Sequence, residues 1–213
     1  MDRLVVEQDV SARIPTRHGE FRLYLFRNSM DAKEHMALTL GSLRGRAAVL
    51  TRVHSECFTG DVLGSLRCDC GEQLERSMHM IGRAGSGIVL YLRQEGRGIG
   101  LRDKLRAYNL QDQGLDTVEA NLKLGHIADA RDYRIAARML AQLEVKSIDL
   151  ITNNPTKIDS LRSLGVTVRE RVPIQIPPRP ENAGYLRTKV RRMNHLLGEL
   201  GASLRVSAEK AWE

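Results

Sequence analysis

Residues 87–100, GIVLYLRQEGRGIG, give a clear indication of the fold class of this sequence. The first six of these residues form an apolar run with the length and composition of a buried strand. Glycines then punctuate residues 94–100, and the pattern over residues 100–110 is typical of a helix. A strand, a glycine-rich turn and a helix in this order indicate a layered α/β unit.

Other segments of the chain repeat this alternation. Strands are also predicted at residues 21–26, 47–53, 147–152 and 166–172, and helices at residues 72–83, 131–143, 157–164 and 185–200, with residues 173–180 as an extended connector. We therefore expect an α/β fold, a single-domain three-layer α/β/α sandwich with a mixed sheet. The domain is expected to span residues 1–200, and residues 201–213 are expected to form a flexible tail.

Composition narrows the class of protein. The chain is 42% hydrophobic but only 4% aromatic, so its core must be aliphatic. No apolar run approaches the roughly 20 residues of a membrane helix, and the first residues lack the basic-then-apolar order of a signal peptide. We expect a cytoplasmic protein without a membrane partner.

The charge balance favours a phosphorylated partner. The chain has 33 basic and 26 acidic residues, a net charge of +7, and such a balance attracts anions of several kinds. The basic residues are scattered, and few aromatic side chains are available to stack on bases. Small phosphates are therefore predicted as partners in preference to nucleic acid.

The cysteines give the sharpest chemical signal. The chain has only three, Cys57, Cys68 and Cys70, all in one loop. An odd number argues against a disulfide framework. Structural zinc sites usually have four protein ligands, whereas catalytic sites keep three and leave the fourth position to water. An open zinc site with one Zn²⁺ per chain is predicted, and three unrelated buried cysteines remain the alternative.

Three turns are candidates for phosphate contacts. The glycine-rich loop at residues 94–100 could cradle an anion, although it is neither a dinucleotide fingerprint nor a P-loop and could be a plain tight turn. Residues 152–157, TNNPTK, could do the same or form an ordinary Asn-Pro turn. Asp129 is interpreted as the N-cap of a helix whose first turn contains Arg131. A cation there opposes the helix dipole, and a bound anion would relieve the conflict.

Several longer motifs resemble one known family. They are RVHSECFTGD (52–61), SLRCDCG (65–71), RQEGRGIGL (93–101), AYNLQD (107–112), DTVEAN (116–121) and LITNNP (150–155). Together they resemble the GTP cyclohydrolase II family of riboflavin biosynthesis, over about residues 14–197. Members of this family are hydrolases that open the imidazole ring of GTP at C8, releasing formate and pyrophosphate.

The resemblance implies a role for each matching residue. Cys57, Cys68 and Cys70 are expected to bind the zinc ion, Asp129 to accept a proton, Arg131 to act as the nucleophile and Tyr108 to take part in catalysis. The expected GTP contacts are Arg52, Val53, His54, Ser55, Glu56, Gln73, Glu95, Gly96, Arg97, Thr117, Thr152 and Lys157. A homodimer and a Mg²⁺ ion on the triphosphate are also implied.

Two other functions stay open at this point. A family paralogue could stop at the formamide product or serve another pathway, and formate release would distinguish it. A zinc module that binds nucleic acid without catalysis is the more distant alternative, and strongly salt-dependent binding without GTP turnover would reveal it. The dihydroxybutanone-phosphate synthase half of bifunctional relatives is not expected within 213 residues.

Overall fold

A single seven-stranded sheet organises the computed structural model, which describes residues 4–127 and 129–197. The strands are β1 Val6–Thr16, β2 Gly19–Asn28, β3 His35–Leu40, β4 Val49–Ser55, β5 Gly87–Leu92, β6 Ile148–Ile151 and β7 Val168–Val172. The helices are α1 Phe58–Asp61, α2 Cys70–Ala84, α3 Gly100–Asp112, α4 Thr117–Lys123, α5 Arg134–Gln142, α6 Pro155–Ser163 and α7 Ala183–Met193. A 3₁₀ turn at Glu95–Gly98 precedes α3.

The sheet is mixed, and its topology creates one functional edge. The strand order is β1-β2-β3-β5-β4-β6-β7. The first three strands and the β3–β5 pair are antiparallel, whereas β5, β4, β6 and β7 are parallel neighbours. The carboxyl ends of β4, β5 and β6 therefore meet at the same edge. In open α/β sheets this edge is where ligands bind.

Helices cover both faces of the sheet. Ile88 and Leu90 of β5 pack in one apolar cluster with Met139 of α5. Val89, which points to the opposite face because strand side chains alternate, packs with Ile81 of α2 in a second cluster. The prediction of an α/β/α sandwich with a mixed sheet is confirmed.

The predicted start of helix α5 is wrong. The helix begins at Arg134 with Tyr133 at its N-cap, so Asp129 is not the cap and Arg131 does not lie in the first turn. The Asp132 side chain instead accepts a hydrogen bond from the Arg134 backbone N–H. Arg131 therefore does not oppose the dipole of this helix, and the helix dipole gives no reason to expect a bound anion there.

Other boundaries differ to a smaller extent. Strand β5 has its predicted bounds, but β1 and β3 were not predicted from the sequence. Helix α7 ends at Met193, before the predicted end, because Asn194 adopts a left-handed φ of +53°. The predicted tail at residues 201–213 lies outside the described residues. In the part of the chain that is described, no helix has the length and hydropathy needed to cross a membrane.

Candidate active site

The three cysteines form a compact cluster at the carboxyl end of β4. Cys57 follows this strand, and Cys68 and Cys70 lie at the start of α2. Their Sγ atoms lie within 4.8 Å of one another, and those of Cys57 and Cys68 are 3.6 Å apart. Two Zn–S bonds of about 2.3 Å in tetrahedral geometry place sulfurs roughly 3.8 Å apart. The Cys57–Cys68 separation therefore fits two ligands of one zinc ion, and Cys70 lies close enough to be a third.

Gly60 leaves room for this cluster. A Cβ at this position would lie 3.0 Å from the Sγ of Cys68 and 3.1 Å from the Sγ of Cys57. Real Cβ atoms rarely approach sulfur this closely, so any larger residue would displace the thiols. The glycine at the centre of α1 is thus a geometric requirement of the cluster.

A buried ion pair supports the cluster from one side. The Lys104 ammonium donates to the Sγ of Cys57 at 3.1 Å and to the Glu95 carboxylate at 2.8 Å. The other Glu95 oxygen accepts from the Phe58 backbone N–H at 2.6 Å. Hydrogen bonds from Cys68 and Cys70, and then the charge of Lys104, lower the pKa of Cys57. The site thus favours the thiolate form of Cys57, and metal binding requires thiolates. Hydrogen bonds within the cluster, and then burial, raise the pKa of Cys68 and of Cys70.

Asp61 fixes the backbone of the cysteine loop. Its buried carboxylate accepts from the Cys57 backbone N–H at 2.9 Å, from the Tyr91 hydroxyl at 2.8 Å and from the His54 Nε2–H at 3.0 Å. Burial lowers the pKa of His54, so its imidazole is neutral and its Nδ1 is an acceptor. This Nδ1 is buried without a hydrogen-bond partner among the described residues.

Tyr108 lies beside the thiols on α3. Its hydroxyl is 3.3 Å from the Oγ1 of Thr59, and its ring packs beneath the Arg67 guanidinium at 5.0 Å. Burial raises the pKa of the Tyr108 phenol. The phenol therefore stays protonated and can donate a hydrogen bond to a ligand close to the cluster.

The glycine-rich loop presents Arg97 to the site. Gly96 and Arg97 both adopt left-handed φ values, +62° and +63°. Such a backbone is strained for arginine, and strain of this kind concentrates at functional sites. The Arg97 carbonyl accepts from the Ala130 backbone N–H at 3.0 Å, which ties the loop to the segment before α5. Both Nη atoms of Arg97 are buried and have no partner in the described chain.

Two further basic side chains come from β4 and α6. The Arg52 guanidinium donates to the Ile151 carbonyl at 3.1 Å and to the Gln73 side-chain oxygen at 2.5 Å, while its Nε has no partner among the described residues. Lys157 is buried and donates to the Val53 carbonyl at 2.6 Å. Burial, and then the nearby Arg52, hold the pKa of Lys157 well below its ordinary value. An anion placed here would reverse that shift.

Asp129 and Arg131 form an ion pair near Arg52 and Lys157. The Nε of Arg131 lies 2.8 Å from one Asp129 oxygen, and the Nη2 contacts the other. Although burial acts in the opposite sense, Tyr133 and Asp129 raise the pKa of Arg131 above its ordinary value. In this arrangement Arg131 is held as a cation.

These groups face one cleft. The thiol cluster and Tyr108 lie in the same lining as the cations Arg52, Arg97 and Arg131. The cleft therefore combines three thiols that could hold a metal ion with several cations that could contact an anion.

Comparison with known proteins identifies the family. The family model described as GTP cyclohydrolase II matches residues 7–173. This chain belongs to the GTP cyclohydrolase II family. The GTP cyclohydrolase-2 of Aeromonas hydrophila is 54% identical over 185 residues, which cover 87% of this chain and 94% of that protein.

Other relatives in the GTP cyclohydrolase II family are longer than this chain. The riboflavin biosynthesis protein RibBA of Salinispora tropica is 56% identical over 194 residues, or 91% of this chain and 48% of that protein. The protein of the same name from Bacillus mycoides is 53% identical over 193 residues, again 91% of this chain and 49% of the relative. The chain thus spans about half the length of these RibBA relatives.

The structure brings most of the predicted site residues of this family member together. Those that line the cleft are Arg52, His54, Ser55, Glu56, Cys57, Cys68, Cys70, Gln73, Glu95, Gly96, Arg97, Tyr108, Thr117, Arg131, Thr152 and Lys157. Two are not in this lining. The Val53 side chain is fully buried in the core and its carbonyl is taken by Lys157. Asp129 reaches the cleft only through its ion pair with Arg131.

Some residues of the cleft were missed by sequence reasoning. They are Arg67, Lys104, Ala107, Gln111, Asn121, Tyr185, Lys189, Met193 and His195. Ile99, Asn153 and Asn154 also line the cleft, and they lie in the two turns that the sequence predicts as phosphate contacts. Lys104 could have been found, because it lies four residues before Tyr108 and therefore on the same face of α3. Nothing local marks Lys189, whose partner Asp69 is 120 positions away in the chain.

Proposed function

We propose that this chain hydrolyses GTP, opening the imidazole ring at C8 to give 2,5-diamino-6-(5-phosphoribosylamino)pyrimidin-4-one with release of formate and pyrophosphate. This reaction is the first step of riboflavin biosynthesis. The observation that carries the proposal is that a three-thiol cluster lines the same cleft as Arg52 and Arg97, whose guanidinium groups have buried N–H groups without a partner among the described residues. The family of the chain supports the same conclusion.

Cys57, Cys68 and Cys70 would hold one Zn²⁺ ion. When bound with an open coordination position, zinc supplies Lewis acidity and activates water near neutral pH. The Lys104 ammonium would partly compensate the negative charge of this cluster through its hydrogen bond to the Cys57 sulfur. The raised pKa of Tyr108 keeps its phenol protonated. This phenol would donate a hydrogen bond to the base or to the amine that develops at the attacked carbon.

Polar groups next to the cluster would select guanine. Glu56 is an acceptor, and its carboxylate forms an ion pair with Arg93, at 3.0 Å from the Nε. Such a group suits the N–H edge of guanine, and a site built to pair an N–H rejects analogues without it by up to about 10⁴–10⁵. ATP is therefore a very poor substrate in this account.

The cations of the cleft would bind the triphosphate together with Mg²⁺. The guanidinium groups of Arg97 and Arg52 have buried N–H groups without acceptors in the described chain. A buried N–H group without an acceptor costs free energy. Phosphate oxygens satisfy them and also stabilise the charged form of Lys157. The hydroxyl of Thr152 and the start of α4 at Thr117 complete this part of the lining.

Arg131 would act on the α-phosphate. The ion pair with Asp129 keeps it protonated, which suits stabilisation of the negative charge that develops as pyrophosphate leaves. Attack by Arg131 itself would require Asp129 to remove a proton as the bond to phosphorus forms. The contact between the two side chains supplies that path, so both roles use the same pair.

Incubation with GTP and Mg²⁺, followed by mass spectrometry of the products, tests the proposal. Formate, pyrophosphate and the diaminopyrimidine phosphate are the expected products. A formamide without free formate would indicate a paralogue that stops after ring opening. An absence of turnover by zinc-loaded protein would refute the proposal.

We also propose that the enzyme acts as a cytoplasmic homodimer. Light scattering at several protein concentrations measures the mass of the assembly and so tests the homodimer. A mass of twice the 23.9 kDa chain is expected, and a monomer at all concentrations would contradict it.

A further inference from the structure

The last described helix forms a wall of the cleft, although it lies beyond the residues matched by the family model. That match ends at residue 173, whereas α7 begins at Ala183. Tyr185, Lys189 and Met193 of α7 line the cleft. The segment after the helix is anchored by the Leu196 backbone N–H, which donates to the Asn153 carbonyl at 2.8 Å.

Lys189 connects this wall to the cysteine loop. Its ammonium donates to one oxygen of Asp69 at 2.6 Å, and the two side chains are 10% and 3% exposed. The ammonium also lies 4.3 Å from the centre of the Tyr185 ring. Asp69 is the residue between Cys68 and Cys70. A buried carboxylate of this kind requires a paired cation, because an isolated buried charge is very unfavourable.

The hydrogen bonds continue from Asp69 to the ligand side of the cleft. The second Asp69 oxygen accepts from the Gln73 Nε2 at 2.5 Å. The Gln73 Oε1 in turn accepts from the Nη2 of Arg52 at 2.5 Å. A carboxylate only accepts and a guanidinium only donates. The Gln73 amide therefore has one permitted orientation, set by its two charged neighbours.

This orientation determines what Gln73 and Arg52 offer to a ligand. One N–H and one lone pair of the Gln73 amide are used within the chain of hydrogen bonds, which leaves one donor and one acceptor for the cleft. Arg52 is fixed by Gln73 on one side and by the Ile151 carbonyl on the other. Its Nε, which has no partner among the described residues, is then held in a defined place.

We infer that Lys189 is a positioning residue for nucleotide binding, acting through Asp69 on Gln73 and Arg52. The inference rests on the proposed function, since it takes a guanine nucleotide as the ligand. It adds helix α7 to the functional unit. Without the ammonium, the Asp69 carboxylate loses its charge partner and moves towards water, and the Gln73 amide loses its fixed orientation.

Lys189 also lines the cleft, so a direct contact with phosphate is the rival explanation. The two differ in what happens when Asp69 is already changed. If Lys189 acts only through Asp69, its substitution should change the affinity little in an Asp69→Asn background. If Lys189 contacts the phosphate directly, the same substitution should weaken binding there as much as in the wild type. A double-mutant cycle therefore separates them.

The experiment measures the dissociation constant of a non-hydrolysable GTP analogue with zinc-loaded protein by calorimetry. Lys189→Met is expected to weaken binding by about tenfold to a hundredfold, with zinc content unchanged. Lys189→Arg, which retains the charge, is expected to recover most of the affinity. Arg191→Met is the matched control, because Arg191 is an exposed cation of the same helix, and its affinity should equal that of the wild type.

The double variant Asp69→Asn, Lys189→Met completes the test. It removes both charges, so it folds even where Lys189→Met alone leaves an unpaired buried carboxylate and fails to fold. Its affinity is expected to lie within about twofold of that of Asp69→Asn alone. A further loss of tenfold or more would show direct contact and overturn the positioning role, as would wild-type affinity in a folded Lys189→Met. Wild-type protein that fails to bind the analogue would instead refute the proposed function itself.

Discussion

At the scale of single residues, the polar groups that line the cleft differ in how completely they are paired. Lys104 donates to Cys57 and Glu95, and Glu95 also accepts from the Phe58 backbone N–H. The two Nη atoms of Arg97 and the Nε of Arg52 have no partners among the described residues. Because buried N–H groups need acceptors, we expect the phosphates of the substrate beside these two guanidinium groups.

Gly60→Ala tests the steric requirement of the thiol cluster. The added methyl group would lie 3.0 Å from the Cys68 sulfur and must push the thiols apart. We expect zinc affinity to fall about tenfold or more, measured by competition with a chelator. Gly184→Ala in α7 is the control, since its Cβ would meet nothing closer than 3.8 Å. Equal zinc affinity in both variants would contradict the expectation.

Lys157 predicts a pH dependence of nucleotide binding. Burial and the neighbouring Arg52 lower the pKa of Lys157 in the free protein, and a bound polyanion raises it again. Binding therefore takes up a proton, and affinity falls as the pH rises through the window between the two pKa values. Calorimetry in buffers of different ionisation enthalpy measures the uptake at about pH 8, above the phosphate pKa of about 6.

Lys157→Met supplies the control for that measurement. The variant has no amine to protonate, so its nucleotide binding should be weaker and its proton uptake smaller. An uptake equal to that of the wild type would assign the proton to another group.

At the scale of elements, capping places Thr117 in the cleft. Asp116 accepts from the backbone N–H groups of Val118 and Glu119, and the Glu119 carboxylate accepts from the Asp116 N–H. This capping box fixes the start of α4. The same Asp116 carboxylate lies 3.2 Å from the Nε of Arg192, which links α4 to α7.

Removal of this cap should destabilise the protein. Asp116→Ala is expected to cost about 1 kcal/mol and to lower the melting temperature by about 2–4 °C, measured by circular dichroism. Asp159→Ala, at an exposed position of α6, should change it by less. A melting temperature unaffected by Asp116→Ala would show that the packing of α4 alone fixes its start.

Elements differ in how well the sequence predicts them. Strand β5 was predicted at its observed bounds, because both of its faces are buried and its apolar run is continuous. The start of α5 was misplaced, because Asp129 resembles a cap in sequence but pairs with Arg131 in space. Strand β1 was missed because most of its residues are exposed, so the apolar pattern that marks a strand is weak there.

At the scale of the whole molecule, the carboxyl ends of parallel strands gather segments that are distant in the sequence. The cysteine motif, the glycine-rich loop and the segment after β6 could each be identified from the sequence. That they share one cleft follows from the sheet order, which was not predicted. The contribution of α7 depends on the pairing of Lys189 with Asp69, and periodicity contains no information about such a contact.

The thiol cluster and the Asp129–Arg131 pair predict two separable reactions. Cys68→Ser, if it folds, should lose formate release but still produce pyrophosphate and GMP from GTP. Arg131→Ala should lose pyrophosphate release and retain its zinc. Chromatography of the nucleotides and metal analysis measure both. A zinc-free variant that binds GTP but yields neither pyrophosphate nor GMP would tie both steps to the metal.

The proposed function assigns the opening of the guanine ring at C8 to the thiol cluster. Nuclear magnetic resonance of a reaction with GTP carrying ¹³C at C8 tests this assignment, because the labelled carbon leaves as formate. We expect a labelled formate signal from the zinc-loaded wild type, and loss of this signal in Cys70→Ser. No labelled formate from the zinc-loaded wild type, or undiminished formate from a zinc-free Cys70→Ser, would contradict the assignment.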